Sequence, residues 1–163
     1  MSDDVSTLEI GQVAPDFELP SDAHGDVRLS AFKGKTVVIY FYPRDNTPGC
    51  TTEACDFRDR MDRVEASGAV VLGISRDTVG SHERFRQKQS LNFPLLSDRD
   101  GTVHKLFAAW GEKKLYGKVS IGPIRSTVLI DGEGIVRQHW PKVRVKGHAE
   151  DVIAAVEALK AEG

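Results

Sequence analysis

The sequence predicts an α/β fold: a central mixed β-sheet flanked by helices, with a β-hairpin at the N-terminal end. Three observations carry this prediction. Two runs, Thr36–Tyr42 and Ala69–Ser75, are apolar almost throughout and rich in β-branched residues, as suits strands covered on both faces. Between them Ala54, Phe57, Met61 and Val64 follow a 3-4-3 spacing, which lines one face of a helix and completes a βαβ unit. Further on, Ser126–Ile130 and Ile135–Trp140 flank Asp131-Gly132-Glu133-Gly134, a hairpin signal, and an amphipathic segment follows.

The elements read in order as follows. Residues 1 to about 12 form a flexible lead-in. Phe17-Glu18-Leu19 and Val27-Arg28-Leu29 flank Asp22–Asp26 and read as a hairpin. Ser30–Lys33 is a short turn ending at Gly34, and the strand Thr36–Tyr42 follows. Thr47-Pro48 carries a helix start, because Thr can cap and Pro is tolerated at the first helical position. The helix runs to Gly68, and Cys50 extends its apolar stripe backwards by one turn, so its thiol points toward the protein body. After the strand Ala69–Ser75 come a polar helix over Ser81–Gln89 anchored by Phe85, a short strand Phe93–Leu96 and a short helix Val103–Phe107. Trp110–Ile124 is glycine-rich and partly basic and reads as a long loop. The last helix spans about His148–Ala161, with Val152, Ile153, Val156 and Leu159 on one side. A βαβ half joined to a ββα half is the thioredoxin-like arrangement. With no linker and no internal repeat, residues 1–163 are expected to form one domain.

Composition narrows the function classes. The net charge of −2, without a basic block interleaved with aromatics, argues against a nucleic-acid partner. The longest strongly apolar run, Val37–Tyr42, is far too short to span a membrane. The acidic start Met1-Ser2-Asp3-Asp4 is the reverse of a signal peptide, so a cytoplasmic location is expected. There the two cysteines, both in one short segment, point to redox chemistry rather than a permanent staple.

That segment, Pro43-Arg44-Asp45-Asn46-Thr47-Pro48-Gly49-Cys50, follows a central strand and opens a helix. It lies at the carboxyl end of the strand, where open α/β sheets place their sites. A thiolate, not a thiol, is the nucleophile, and helix N-termini and nearby cations favour it. The unpaired N–H groups of a first helical turn also suit negative charge that develops on an atom bound beside them. Pro43, Thr47 and Cys50 spell Pro-x-x-x-Thr-x-x-Cys, which resembles the active-site signature of peroxiredoxins. The resemblance assigns Cys50 as the peroxidatic cysteine and Thr47 as the hydroxyl that bonds thiolate and peroxide. Pro43 becomes the shield of the site, and Arg125, just before a strand, the family's arginine. Tyr40–Pro43, Cys50–Cys55, Leu95-Leu96-Ser97-Asp98 and Trp110–Lys114 extend the likeness to the Q subfamily, also called bacterioferritin comigratory proteins, over residues 8 to 160. Val128 departs from it, since many relatives carry Phe there; that is a packing change.

The resemblance implies a thioredoxin-fold peroxidase acting as a monomer on hydrogen peroxide and organic hydroperoxides. It implies no metal or organic cofactor, and recycling by thioredoxin or a similar dithiol protein. Cys55 is the only other thiol and the candidate to resolve a Cys50 sulfenic acid within the chain. Five residues along an ideal helix separate Cα atoms by about 8.6 Å and about 140° of rotation. A disulfide needs roughly 4.4–6.8 Å. The first turns must therefore unwind, near residues 47–58, before the bond can close.

Other residues are less telling. Glu53 either tunes the site or only biases the helix start, and Trp110 either lines the substrate approach or anchors a loop. The five histidines show no ligand spacing and default to surface or capping roles; a zinc site is opposed because structural zinc takes four ligands. No phosphate-cradling or dinucleotide glycine motif occurs, so no nucleotide cofactor is implied. Two rival readings remain. A thioredoxin-type disulfide oxidoreductase would normally use Cys-x-x-Cys, whereas four residues separate these cysteines. A redox sensor would use the same oxidation to switch a partner surface. A holdase role is neither favoured nor opposed.

Overall fold

A computed structural model describes residues 8–162. In chain order the elements are β1 (Glu18–Pro20), β2 (Asp26–Arg28), a 3₁₀ turn (Leu29–Phe32), β3 (Thr36–Phe41), α1 (Pro48–Arg58), α2 (Met61–Ala66), β4 (Ala69–Ser75), α3 (Val79–Gln89), β5 (Leu95–Ser97), α4 (Thr102–Leu106), β6 (Trp110–Leu115), β7 (Lys118–Pro123), β8 (Ser126–Ile130), β9 (Val136–Trp140) and α5 (His148–Glu162). Five strands make the central sheet in the order β5-β4-β3-β8-β9. β3, β4 and β5 run parallel, while β8 and β9 are antiparallel to their neighbours, so the sheet is mixed as expected.

β3 explains why both faces of the sheet are covered. Val38, Tyr40 and Tyr42 point into one apolar cluster with Cys50, Ala54 and Phe57 of α1 and Val152, Ile153 and Val156 of α5. Val37, Ile39 and Phe41 point into a second with Leu29, Val103 and Phe107. A strand buried on both faces shows no apolar–polar alternation. α1 seats on the sheet through Phe57, which stacks on Tyr40 at 4.8 Å. Tyr40 in turn lies against Gly73, its partner across the β3–β4 ladder, where an added Cβ would sit 3.0 Å from the ring.

Four expectations need correction. The segment after Cys50 is not one helix to Gly68. α1 ends at Arg58, and Arg60 N–H bonds to Phe57 O three residues back, a 3₁₀-type closure that redirects the chain into α2. The 3-4-3 stripe survives because Phe57, Met61 and Val64 stay on the core through that corner. Trp110–Ile124 is not a loop but the hairpin β6–β7, in register from Trp110↔Pro123 to Leu115↔Lys118. Its turn residues Tyr116 and Gly117 both have positive φ, the backbone of a tight hairpin, but Tyr-Gly lacks the usual Asn-Gly or Asp-Gly signature.

The lead-in is partly docked: Gly11 N–H and Ala14 N–H donate to Val136 O and Gly134 O, and Val136 N–H donates to Gln12 O. The lead-in expected over residues 1–7 lies outside the described residues. Finally, His82, His104 and His148 are buried rather than on the surface. Among the described residues no helix is long and apolar enough to cross a membrane.

Candidate active site

The site forms where β3 ends. The chain leaves the sheet at Tyr42, passes the half-buried Pro43, and enters α1 at Pro48. Thr47 stands at the N-cap with an extended backbone, and its carbonyl accepts the first intrahelical bond, from Thr51 N–H at 2.8 Å. Its hydroxyl does not cap the helix. It donates instead to Arg44 O at 3.0 Å, holding the loop in shape. Cys50 therefore sits in the first turn, among amides with no intrahelical acceptor. It is 1 % exposed, packed in the core cluster as its place on the apolar stripe predicts.

Arg125 reaches the sulfur from the neighbouring strand. Phe41 pairs with Ser126, so Arg125 stands beside the end of β3 where the loop begins. Its Nη2 donates to Cys50 Sγ at 3.2 Å and its Nη1 to Glu53 Oε1 at 2.6 Å. A cation donating to sulfur favours the nucleophilic thiolate. Burial alone would pull the Arg125 guanidinium down, but the charges of Glu53 and Cys50 hold it above its ordinary value. Glu53 is 1 % exposed, and burial pushes its carboxyl up to about 7 against the opposing pull of Arg125. Its Oε2 has no hydrogen-bond partner among the described residues. The residue left open between tuning the site and biasing the helix thus lies in the same ladder as Cys50. Lys113 of β6 also faces this centre: burial, then Arg125, pulls its ammonium down while Cys50 opposes the change.

A second layer fixes the loop. Asp45 Oδ1 accepts from Tyr42 Oη at 2.6 Å; its Oδ2 accepts from Ser81 Oγ at 2.9 Å and lies 2.7 Å from His82 Nδ1. Asp45 N–H donates to Asp77 Oδ2 at 2.8 Å. His82 Nε2 lies 2.9 Å from Leu96 O, so both ring nitrogens face acceptors. Asp45, Asp77 and His82 are close enough together to hold a metal, but both Asp45 oxygens, Asp77 Oδ2 and both ring nitrogens of His82 are already engaged in these hydrogen bonds.

Sequence reasoning missed this layer. Asp45 lay inside the quoted motif, but His82 is brought to it by α3, which no local pattern shows. Trp110 packs at the start of β6 against His104, with ring centroids 6.3 Å apart. The cationic groups of Arg76 and Lys105 also lie over its ring, 5.3 and 5.1 Å from the centroid.

Cys55 is half-buried on the same helix, and both thiols are free. The structure therefore brings together Cys50, Arg125 and Glu53 at the helix start beside Thr47 and Pro43, and leaves Cys55 about a turn and a half away along an intact α1.

The sequence model of the AhpC/TSA family matches residues 10–139. Peroxiredoxin Bcp of Bacillus subtilis is 48% identical over 154 residues, covering 94% of this chain and 96% of that protein. This chain belongs to the peroxiredoxins. Peroxiredoxin Bcp of Escherichia coli K12 is 41% identical over 91% of this chain and 96% of its own length. Among solved structures, the Xanthomonas campestris bacterioferritin comigratory protein superposes with a TM-score of 0.86 at 43% identity, covering 95% of this chain and 99% of that one. That protein was studied for its alkyl peroxide reduction activity. A Cys-to-Ser variant of Xylella fastidiosa PrxQ superposes with a TM-score of 0.88 at 38% identity, covering 94% and 98%. The peroxiredoxin is of the Q, or bacterioferritin comigratory, type, a thiol-dependent peroxidase with the thioredoxin-like fold.

Proposed function

We propose that Cys50 is the peroxidatic nucleophile, that Arg125 orients and polarises the peroxide while the Thr47 hydroxyl, whose proton is given to Arg44 O, orients it by accepting from it, that Pro43 shields the site, and that Cys55 resolves the oxidised sulfur within one chain. The observation that carries this reading is the 3.2 Å contact between Arg125 Nη2 and Cys50 Sγ at a helix N-terminus. The Cys50 thiolate attacks the distal peroxide oxygen, the O–O bond breaks, and the departing oxide takes a proton to leave as water or alcohol. Donors fixed before the reaction stabilise the charge moving onto that oxygen without reorganising. The sulfenic acid on Cys50 then condenses with the Cys55 thiol, forming the disulfide and releasing water. A dithiol protein of the thioredoxin kind returns both thiols and is itself oxidised to a disulfide.

Hydrogen peroxide and organic hydroperoxides are the substrates in this reading, the latter supported by the activity studied in the Xanthomonas relative. The chain works as a single-domain cytoplasmic monomer, without nucleic acid, membrane, metal or organic cofactor.

Because α1 is intact through Arg58 while both thiols are free, the disulfide requires the segment near residues 47–58 to unwind. Intact mass after one equivalent of hydrogen peroxide tests the assignment. The wild type is expected to lose about 2 Da, and Cys55→Ser to gain about 16 or 32 Da. No change within seconds at low-micromolar peroxide would sink it and favour disulfide exchange.

A further inference from the structure

The end of α3 grips the segment that resolution requires to unwind, at both of its ends. Cys55 Sγ donates to Gln89 Oε1 at 3.6 Å. Arg58 Nη1 donates to the Gln89 carbonyl at 2.6 Å, and Asn92 Nδ2 donates to the Arg58 carbonyl at 3.3 Å. At the loop end, Lys88 Nζ donates to Asn46 Oδ1 at 3.4 Å. The geometry comes from helix ends. The last carbonyls of a helix have no intrahelical donor. Arg58 closes α1 and Gln89 closes α3, and each of these orphan carbonyls is taken by a side chain from the other side. Ser90, left-handed at φ 53°, turns the chain sharply after Gln89.

We propose that Arg58 and Gln89 are a latch that holds Cys55 docked on α3 and so sets how fast oxidised Cys50 closes to the disulfide. Neither residue touches Cys50, so both are positioning residues. The proposal rests on Cys55 being the resolving thiol. Two reactions compete for the Cys50 sulfenic acid. In one, Cys55 supplies the thiol, the S–S bond forms and water leaves. In the other, a second peroxide molecule transfers an oxygen to sulfur, giving the sulfinic acid and one water or alcohol. A tighter latch slows the first and leaves the second unchanged, so the latch also sets the peroxide level at which the enzyme is over-oxidised.

The test compares wild type, Arg58→Ala, Gln89→Leu, Gln89→Glu and Cys55→Ser in two measurements. In the first, one equivalent of hydrogen peroxide is added, the reaction is acid-quenched on the millisecond-to-second scale, free thiols are alkylated, and intact mass follows disulfide closure. In the second, peroxide is titrated during turnover with a dithiol reductant, and the species about 32 Da heavier is counted. Arg58→Ala is expected to close about tenfold faster, in line with losing its charged hydrogen bond to the Gln89 carbonyl (its exposed pair with Asp59 does not bridge to α3), and Gln89→Leu about threefold faster, in line with losing the weaker bond from Cys55. Both should need correspondingly more peroxide for over-oxidation, with the rate of Cys50 oxidation unchanged. Gln89→Glu keeps the acceptor and should close no faster than wild type. Closure at or below the wild-type rate in both Arg58→Ala and Gln89→Leu overturns the latch. A wild type that forms no intrachain disulfide, with products like those of Cys55→Ser, instead overturns the resolving role of Cys55. If Arg58→Ala does not fold, the Gln89→Leu and Gln89→Glu pair decides alone.

Discussion

Glu53 holds Arg125 by a 2.6 Å hydrogen bond from Nη1, and this leaves Nη2 aimed at the Cys50 sulfur. The carboxylate sits one turn after Cys50 on the same face of α1, while the guanidinium arrives from the strand beside β3. A helix–sheet contact therefore creates the site, and its strength depends on the charge state of Glu53.

That charge state gives a pH prediction with a definite sign. The Glu53 carboxyl lies at about 7 in the folded protein, against an ordinary value of 4.5. A raised carboxyl means that the folded state holds the proton more tightly than the unfolded chain. Stability from this group is full below pH 4.5 and is lost as pH rises from 4.5 through about 7, by on the order of 3 kcal/mol. Denaturant unfolding under reducing conditions should show the wild type losing stability relative to Glu53→Gln across that range. Parallel curves would refute the linkage.

Arg125→Lys keeps one positive charge but loses the fork that spans Glu53 and Cys50. The second-order rate of Cys50 oxidation, followed by competition with another peroxide scavenger, should fall about 100-fold, the usual effect of removing one preorganised donor. A rate within a factor of three of wild type would remove Arg125 from the chemistry.

Gly49→Ala should separate stability from activity. Gly49 lies in the first turn of α1, where Ala is the better helix former by up to about 1 kcal/mol. Its added Cβ would come within 3.3 Å of Arg125 Nη2 and push the guanidinium from the sulfur. Thermal melting should stay level or rise slightly, while Cys50 oxidation slows about tenfold. A slower enzyme that is also clearly less stable would point to damage elsewhere.

Asp45→Ala would leave Tyr42 Oη, Ser81 Oγ and His82 Nδ1 without their shared acceptor in a buried site. The cost should be about 3 kcal/mol of unfolding free energy, read from denaturant unfolding, with slower Cys50 oxidation because the loop before Thr47 loses its anchor. Full stability in the variant would show that the loop is held by packing alone.

The parts of the fold legible in the sequence were those whose residues carry their own local signal. The runs Thr36–Tyr42 and Ala69–Ser75, β-branched and apolar, read as buried strands, and Asp131–Gly134 marked a turn; the strands formed there within a residue or so. Pro43, Thr47 and Cys50 sit within eight residues, so their pattern exposed the site before any long-range contact was known. β6–β7 was not legible, because Lys118, Val119, Ser120 and Ile121 are all exposed and no buried face imposes alternation.

Local chemistry in the chain thus settled the sheet's main strands, the helix start and the thiol that lies in it. Distance in the chain set the limit. Arg125 is 75 residues from Cys50, His82 is 37 from Asp45, and Gln89 is 34 from Cys55. A motif could flag Arg125, but only packing could show that it shares its guanidinium with a buried Glu53. No pattern could show that α3 anchors the loop at one end and clasps α1 at the other. Propensities and periodicity act over a few residues, whereas burial, desolvation and the pairing of orphan helix-end carbonyls arise only when distant segments meet.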